Sequence, residues 1–318
     1  ENSIPEIVGT GETKITSNNG EMENKGLDLA IDYNKQITKD FFLSFKSTLT
    51  FARNKVLKMD ESPYFEYPGL SDVGHPLGTY WGYVADGLFP DQETIDNSPR
   101  QDLGYTPQPG DIKYVNQPNA KGEYDNVINS NDRVAIGHPY DPELVYGFGP
   151  SMKWKNWDFS FFFQGVADVS LMANGSYIDT GGGSWGANGV GIVPFAGMGA
   201  NPTNIISKAL DRWTEDNPRD DAWYPRMTMG ASTSDNNYVN STHWLKNGNY
   251  LRLKQASLGY TLENKTLTAK GIDYLYFYLS GQNLLTFSKF KLWDPELGSN
   301  GAKYPLSRMV TIGMRVAF

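Results

Sequence analysis

The last eleven residues place their apolar side chains on every second position. From Arg308 to Phe318, Val310, Ile312, Met314, Val316 and Phe318 share one parity, while Thr311, Gly313, Arg315 and Ala317 share the other. Side chains alternate between the two faces of a strand, so this segment has one apolar face and one mixed, more polar face. Such a face is satisfied against the core of a soluble sheet or against lipid in a transmembrane barrel, whose strands run about 9–11 residues. Either way the class is all-β, and the rest of the sequence must decide between the two.

The same grammar recurs upstream. Leu27, Leu29, Ile31 and Tyr33 alternate with Asp28, Ala30 and Asp32. After a polar turn at 34–40, a run from Phe41 to Val56 sets Phe41, Leu43, Phe45, Leu49 and Phe51 against Ser44, Lys46, Thr48 and Thr50. The pair reads as a hairpin, and its second strand exceeds the five or six residues usual in soluble sheets. A second hairpin follows, with Leu144, Tyr146, Phe148, Met152 and Trp154 in phase, a Lys155-Asn156 turn, and then Trp157, Phe159, Phe161 and Phe163 in phase. Trp154 and Trp157 flank that turn as a membrane-interface girdle would. In 250–262 the phase changes between Leu251/Leu253 and Leu258/Tyr260, which predicts a bulge or an exit from the apolar belt. Leu275, Phe277 and Leu279 then alternate with Tyr274, Tyr276, Tyr278 and Ser280.

Between these strands, residues 61–142, about 173–248 and 283–306 read as long loops, too long for ordinary connections. The first contains the apolar stretch Gly78–Phe89. The second holds Gly181-Gly182-Gly183 and a short helical signal, in which Asn201 caps, Pro202 suits the first turn, and Ile205, Ile206, Ala209, Leu210 and Trp213 recur at helical spacing.

Composition narrows the function. A net charge of -8 without clustered Lys and Arg opposes nucleic acid as a partner. The absence of Cys removes disulfides and thiolate chemistry. No apolar run is long enough for a transmembrane helix, but a mean hydropathy of -0.49 does not oppose a barrel, in which alternation averages the two faces. Glu1-Asn2-Ser3-Ile4-Pro5 lacks the basic and apolar regions of a signal peptide, so the chain is expected to begin within a longer or processed protein. His75, His138 and His243 fall at no metal-binding spacing, and no Gly-x-Ser-x-Gly elbow appears. The triple glycine lacks the Lys-Ser/Thr of a phosphate loop. Asp111, Asp125, Asn126, Asn129, Asn131 and Asp132 supply oxygen donors without the ordered spacing of a calcium loop. The reading is of a non-enzyme with no catalytic residues, no metal and no cofactor.

Taken in order, the motifs resemble the C-terminal barrel portion of the SusC-like (SusC/RagA) TonB-dependent outer-membrane transporters. The resemblance rests on Asn24-Lys25-Gly26-Leu27-Asp28, on Gly74-His75-Pro76-Leu77-Gly78 with Asp86-Gly87-Leu88-Phe89, and on Gly110-Asp111-Ile112-Lys113-Tyr114 with Asp132-Arg133. It continues through Trp157-Asp158-Phe159, Phe163-Gln164-Gly165, Asn217-Pro218, Pro225-Arg226, Tyr250-Leu251-Arg252-Leu253-Lys254, Gly281-Gln282-Asn283-Leu284, Asp294-Pro295-Glu296, Tyr304-Pro305 and the terminal Phe318. One departure lies at 115–122, where Val115-Asn116-Gln117-Pro118-Asn119-Ala120-Lys121-Gly122 stands in place of the family's acidic D-x-N-x-D-G segment.

The resemblance implies an antiparallel barrel of about 22 strands, of which this chain supplies about eight with long extracellular loops; the plug and N-terminal segments are absent. It implies location in the Gram-negative outer membrane, import of oligosaccharides or peptides energised through TonB, and a SusD-like surface lipoprotein as partner. Trp185, Trp223, Tyr224 and Trp244 are the candidate contacts with substrate or lipoprotein lid. Val310, Ile312, Met314, Val316 and Phe318 form the candidate terminal strand for barrel assembly. The competing reading is a soluble, secreted, β-rich glycan-binding module; a passive porin is opposed by the family motifs.

Overall fold

The computed structural model describes residues 19–61, 64, 66–174, 207–227, 236–299, 301 and 304–318. Seven long strands form one antiparallel sheet in which spatial order follows chain order. They are β1 (Glu21–Thr38), β2 (Phe41–Lys58), β3 (Leu144–Trp154), β4 (Trp157–Ala167), β5 (Tyr250–Leu262), β6 (Tyr274–Ser288) and β7 (Met309–Ala317). Among the described residues the wall has seven strands, in keeping with a partial set of about eight. The apolar stretch at 78–89 forms only the short pieces Tyr80–Gly82 and Ala85–Leu88, which pair within the loops instead of joining the wall.

Two other boundaries differ from the sequence reading or refine it. The first hairpin turns at Lys39-Asp40 alone, because Asn34, Lys35 and Gln36 continue the ladder opposite Ser44, Leu43 and Phe42. The phase change in β5 is a bulge. Phe162 pairs with Gln255 and Phe163 with Leu253, which leaves Lys254 without a partner on β4. The ladder to β6 is interrupted at the same place, next to Asn283 with its φ of 52°. The extra residue keeps Leu251 and Leu253 on the same side of the sheet as Leu258 and Tyr260 despite their opposite parity.

Register converts alternation into two surfaces. One cross-strand row reads Lys35, Leu43, Met152, Phe159, Leu258, Leu279 and Ile312. The adjacent row reads Asn34, Ser44, Ser151, Ser160, Ser257, Ser280 and Thr311. Adjacent rows point to opposite faces, so an almost wholly apolar face and a hydroxyl-lined face run across all seven strands. At the short-turn end the apolar face becomes aromatic, with Phe41, Trp154, Trp157, Tyr260 and Phe277 in register and the Trp157 and Tyr260 rings 4.6 Å apart. This is the predicted girdle.

The hydroxyl-lined face is shaped by glycine. A Cβ on Gly313 would enter the Tyr278 ring, and one on Gly259 would meet the Tyr276 hydroxyl and the Asp158 carboxylate. Tyr276 and Tyr278 stack at 5.9 Å, and Tyr276 donates to Asp158 Oδ1 at 3.0 Å. These tyrosines lie flat along the wall because the glycines beside them carry no side chain.

The apolar face has no cover within the described residues, and Ile312 is 82% exposed. A soluble module would bury that row on a core, whereas here the core lies elsewhere. The lipid-facing reading makes a contrast testable. Ile312→Arg is expected to cost roughly 2–4 kcal/mol of barrel stability if it sits near the bilayer midplane, whereas Thr311→Arg on the opposite face should cost little. Urea titration of the full-length protein folded in vesicles measures both.

The connections are segregated by length. Turns at Lys39-Asp40 and Lys155-Asn156 and a short helical connection containing Lys265–Thr268 join the strands at one end; the long connections 59–143, 168–249 and 289–308 leave and rejoin the strands at the other. Short periplasmic turns and long extracellular loops are the barrel pattern.

Candidate functional site

The described parts of the long loops fold together into a cap with its own core. Tyr80, Tyr83, Leu88, Ile112, Tyr114, Ile128, Ile136, Met172, Trp213, Tyr224, Tyr238 and Trp244 are buried in one cluster drawn from two loops far apart in sequence. Short ladders brace it: Tyr80–Gly82 with Val134–Ile136, Ala85–Leu88 with Ile112–Tyr114, and Ser170–Met172 with Leu245–Asn247.

The motif residues are the joints of this cap. Gly110 has a φ of 89°, and a Cβ there would enter the Trp213 ring, so the position demands glycine twice over. Asp111 is fully buried. It accepts from Gln108 N at 2.8 Å, Asn237 Nδ2 at 2.8 Å and Arg226 Nε at 3.2 Å, and Arg226 also reaches the Tyr105 hydroxyl. Burial pushes its carboxyl upward, while these donors and the guanidinium pull it down. Gln101 and Asn236 add a buried amide pair at 2.6 Å, with Gln101 Oε1 accepting from Tyr114 N. Asp132 accepts from Gln117 N and Asn129 N, both at 2.7 Å, and so closes the single turn Ser130–Asp132.

Two ionic joints tie the cap to the wall. Arg53 near the end of β2 donates twice to Glu143, at 2.7 and 2.5 Å. Arg252 of β5 is 2% exposed; it donates to Asp294 at 2.5 Å and lies 3.4 Å from Glu296, which Lys254 also approaches at 3.5 Å.

Of the predicted contact residues, Tyr224 and Trp244 lie buried in the core of the cap. Both are 0% exposed, and Trp244 donates its indole N–H to Asn237 O at 2.6 Å with Trp223, Tyr224, Tyr238 and His243 around it. An indole enclosed on every side presents no surface to a sugar or a lid. Trp213 is likewise buried. Trp223 is half-buried and keeps one side open. Trp185, the triple glycine and the start of the expected helix lie outside the described residues; the described end of that helical signal is the 3-10 turn Ser207–Leu210. In the terminal strand Val310, Ile312, Met314 and Phe318 are exposed and Val316 is half-buried, on the edge of the sheet away from β6.

The open side of Trp223 lines a groove that the sequence reading missed. Its volume is about 600 Å³, and its walls are Ser207, Lys208, Trp223, Lys246, Asn247, Lys289, Phe290, Lys291 and Leu292. It lies at the extracellular rim, where Lys246 and Asn247 approach the start of β5 and Lys289 follows the last residue of β6. Burial and the neighbouring Lys208 bring the Lys246 ammonium down to about 8, and its Nζ donates to His243 O at 2.5 Å. Lys289 and Lys291 lie 81 and 83 positions after Lys208, so only the local Lys289-Phe290-Lys291 alternation signals part of the set.

His243 carries a pH consequence. Burial lowers its pKa to about 4, and its Nε2 lies 3.0 Å from Trp223 O. In the unfolded chain it titrates near 6.5, so between these values the unfolded state binds more protons and folding is opposed. The cap is therefore expected to lose stability as pH falls from about 6.5 towards 4, and His243→Gln should flatten that part of the profile. Hydrogen exchange of the cap amides across that range measures it.

No protein-family model matches the chain. It is similar to the TonB-dependent receptor P26 of Formosa agariphila, 29% identical over 336 aligned positions, which cover 97% of this chain and 30% of that protein. It is also similar to the TonB-dependent receptor SusC of Bacteroides thetaiotaomicron, 25% identical over 100% of this chain and 28% of that protein. Among solved structures, the RagAB peptide transporter matches with a TM-score of 0.68 at 22% identity, over 99% of this chain and 31% of that one. The chain thus spans about 30% of the length of the curated relatives that it matches. Relatives named as SusC and as TonB-dependent receptors align along nearly all of a sheet with one lipid-type face, so the chain is similar over almost its whole length to the SusC-like TonB-dependent receptors of the outer membrane, and its fold is that of part of a β-barrel of this kind.

Proposed function

We propose that the protein to which this chain belongs imports oligosaccharides or peptides across the outer membrane, energised through TonB, with a SusD-like surface lipoprotein at its extracellular face. This chain contributes barrel wall and a rigid extracellular cap, and it does no bond chemistry. The observation that carries the reading is the union of a lipid-type apolar belt with a cap that has its own core and is clamped to the wall by Arg53–Glu143 and Arg252–Asp294. A packed cap gives a partner a fixed surface at the barrel mouth, where mobile loops would charge an ordering cost on every binding event. The names of SusC and of the RagAB peptide transporter support import and leave both cargo classes open.

The direct test is uptake by cells that carry the full-length protein, with and without a functional TonB. Uptake that disappears without TonB is the expected result; uptake that persists would mean a passive pore.

A further inference from the structure

We propose that the groove at the rim of the cap binds the charged groups of an anionic saccharide, bearing sulfate, carboxylate or phosphate, through Lys208, Lys246, Lys289 and Lys291, with Trp223 against the sugar ring. The inference deepens the import reading by assigning a charge to the ligand, and it rests on that reading only for the use made of the site.

Three features of the groove point the same way. Its described lining holds four lysines and no carboxylate, in a chain whose net charge is -8. A concave site lined by one sign of charge focuses its field and concentrates counter-ions. The acidic partner of Lys208 is Asp211, at 2.7 Å, which it shares with Arg219. Among the described residues, Lys289 and Lys291 have no ion pair, and Lys246 is held by a backbone carbonyl alone. The segments 175–206 and 228–235, which flank 207–227 in the sequence, carry one carboxylate each, Asp179 and Asp235, and neither has a Lys or Arg.

The shape also suits a ring with charge at its edge. Trp223 is fixed edge-on against Trp244 at 5.7 Å between centroids, and the Lys208 ammonium sits 5.9 Å from its ring. Phe290, buried with Leu171 and Ala173 and held by Trp293 at 4.7 Å, backs the groove. Rigid aromatic walls beside a few convergent polar groups are the usual makeup of a small-ligand site. The same chemistry is offered by a free anionic oligosaccharide and by the phosphorylated sugar headgroup of an outer-leaflet lipid.

The test is calorimetric titration of the full-length receptor in detergent at low salt with a heparin-derived sulfated tetrasaccharide and with uncharged maltotetraose. The sulfated probe is expected to bind about tenfold or more tightly than the neutral one, with affinity falling as salt rises. Lys289→Gln combined with Lys291→Gln, both at the surface, should cost about tenfold for the sulfated probe and leave the melting temperature unchanged. Competition with lipid A in nanodiscs separates the sources: displacement of the sulfated probe assigns the site to the lipid headgroup, and no displacement assigns it to a soluble ligand. Equal affinity for both tetrasaccharides, or binding that ignores the double substitution, would overturn the proposal. None of these readouts uses TonB, so failure of the import reading would appear separately, as TonB-independent uptake.

Discussion

Trp244→Ala is expected to cost the loop cap about 3–5 kcal/mol, the range for removing a large aromatic side chain from a packed interior. Trp244 is enclosed by Trp223, Tyr224, Tyr238 and His243, and its N–H satisfies Asn237 O. Asn237 in turn accepts from Ile112 N at 2.8 Å and donates to Asp111, so the loss travels into the Gly110–Tyr114 motif. The wall shares little of this packing. Limited proteolysis of the full-length protein in micelles should therefore show rapid cleavage within 61–142 and 207–248, while the heat-resistant mobility of the folded barrel is kept. Cleavage no faster than in the unsubstituted protein would mean that the cap does not depend on this core.

Arg252→Ala should be comparable in size and different in place. The guanidinium is almost completely buried between the wall and the Asp294-Pro295-Glu296 turn. Removing it leaves Asp294 and Glu296 without their main counter-charge; breaking a buried pair in this way typically costs about 3–5 kcal/mol. Lys254, 3.5 Å from Glu296, compensates for only one of the two carboxylates. The expected result is increased hydrogen exchange confined to 289–307 and the facing end of β5. A combined Arg252→Met, Asp294→Asn, Glu296→Gln variant, which removes the charges together, should recover much of the loss. Equal exchange in the single and triple variants would show that packing and not charge holds this loop.

The wall was readable because lipid imposes one rule on every strand. A face that meets hydrocarbon along its whole length needs an apolar residue at every second position, so alternation from Leu27 to Tyr33, from Phe41 to Phe51 and from Val310 to Phe318 carried strand, face and hairpin together. Even the bulge at Lys254 was visible, since an inserted residue leaves a change of parity between Leu253 and Leu258. The extent of β1 was less legible, because Lys35 and Gln36 look like turn residues and only the ladder to β2 shows that they are strand.

The cap was read as three loops because its order depends on pairs remote in sequence. Gln101 with Asn236, Asp111 with Asn237 and Tyr80 with Ser299 are separated by more than a hundred positions, and no local period reports them. The same remoteness hides the burial of Tyr224 and Trp244: an aromatic residue in a polar loop looks available to a ligand until the partner that buries it is known. The motif order identified the family without explaining its residues. The structure supplies the reason for several of them: Gly110 admits Trp213, Asp111 gathers three donors, and Arg252 holds the Asp294 turn.

The central claim is that one face of this sheet meets lipid and the other the barrel interior, with the boundary between adjacent residues. The chain contains no cysteine, so single cysteines at Leu279, Ser280, Thr311 and Ile312 can carry nitroxide labels in a full-length protein cleared of other reactive cysteines and reconstituted in bilayers. Relaxation by dissolved oxygen, which partitions into lipid, is compared with relaxation by a water-soluble nickel chelate. The account predicts oxygen-dominated relaxation at Leu279 and Ile312, and its loss at Ser280 and Thr311. Chelate-dominated relaxation at Leu279 and Ile312, or the same response at all four positions, would contradict it.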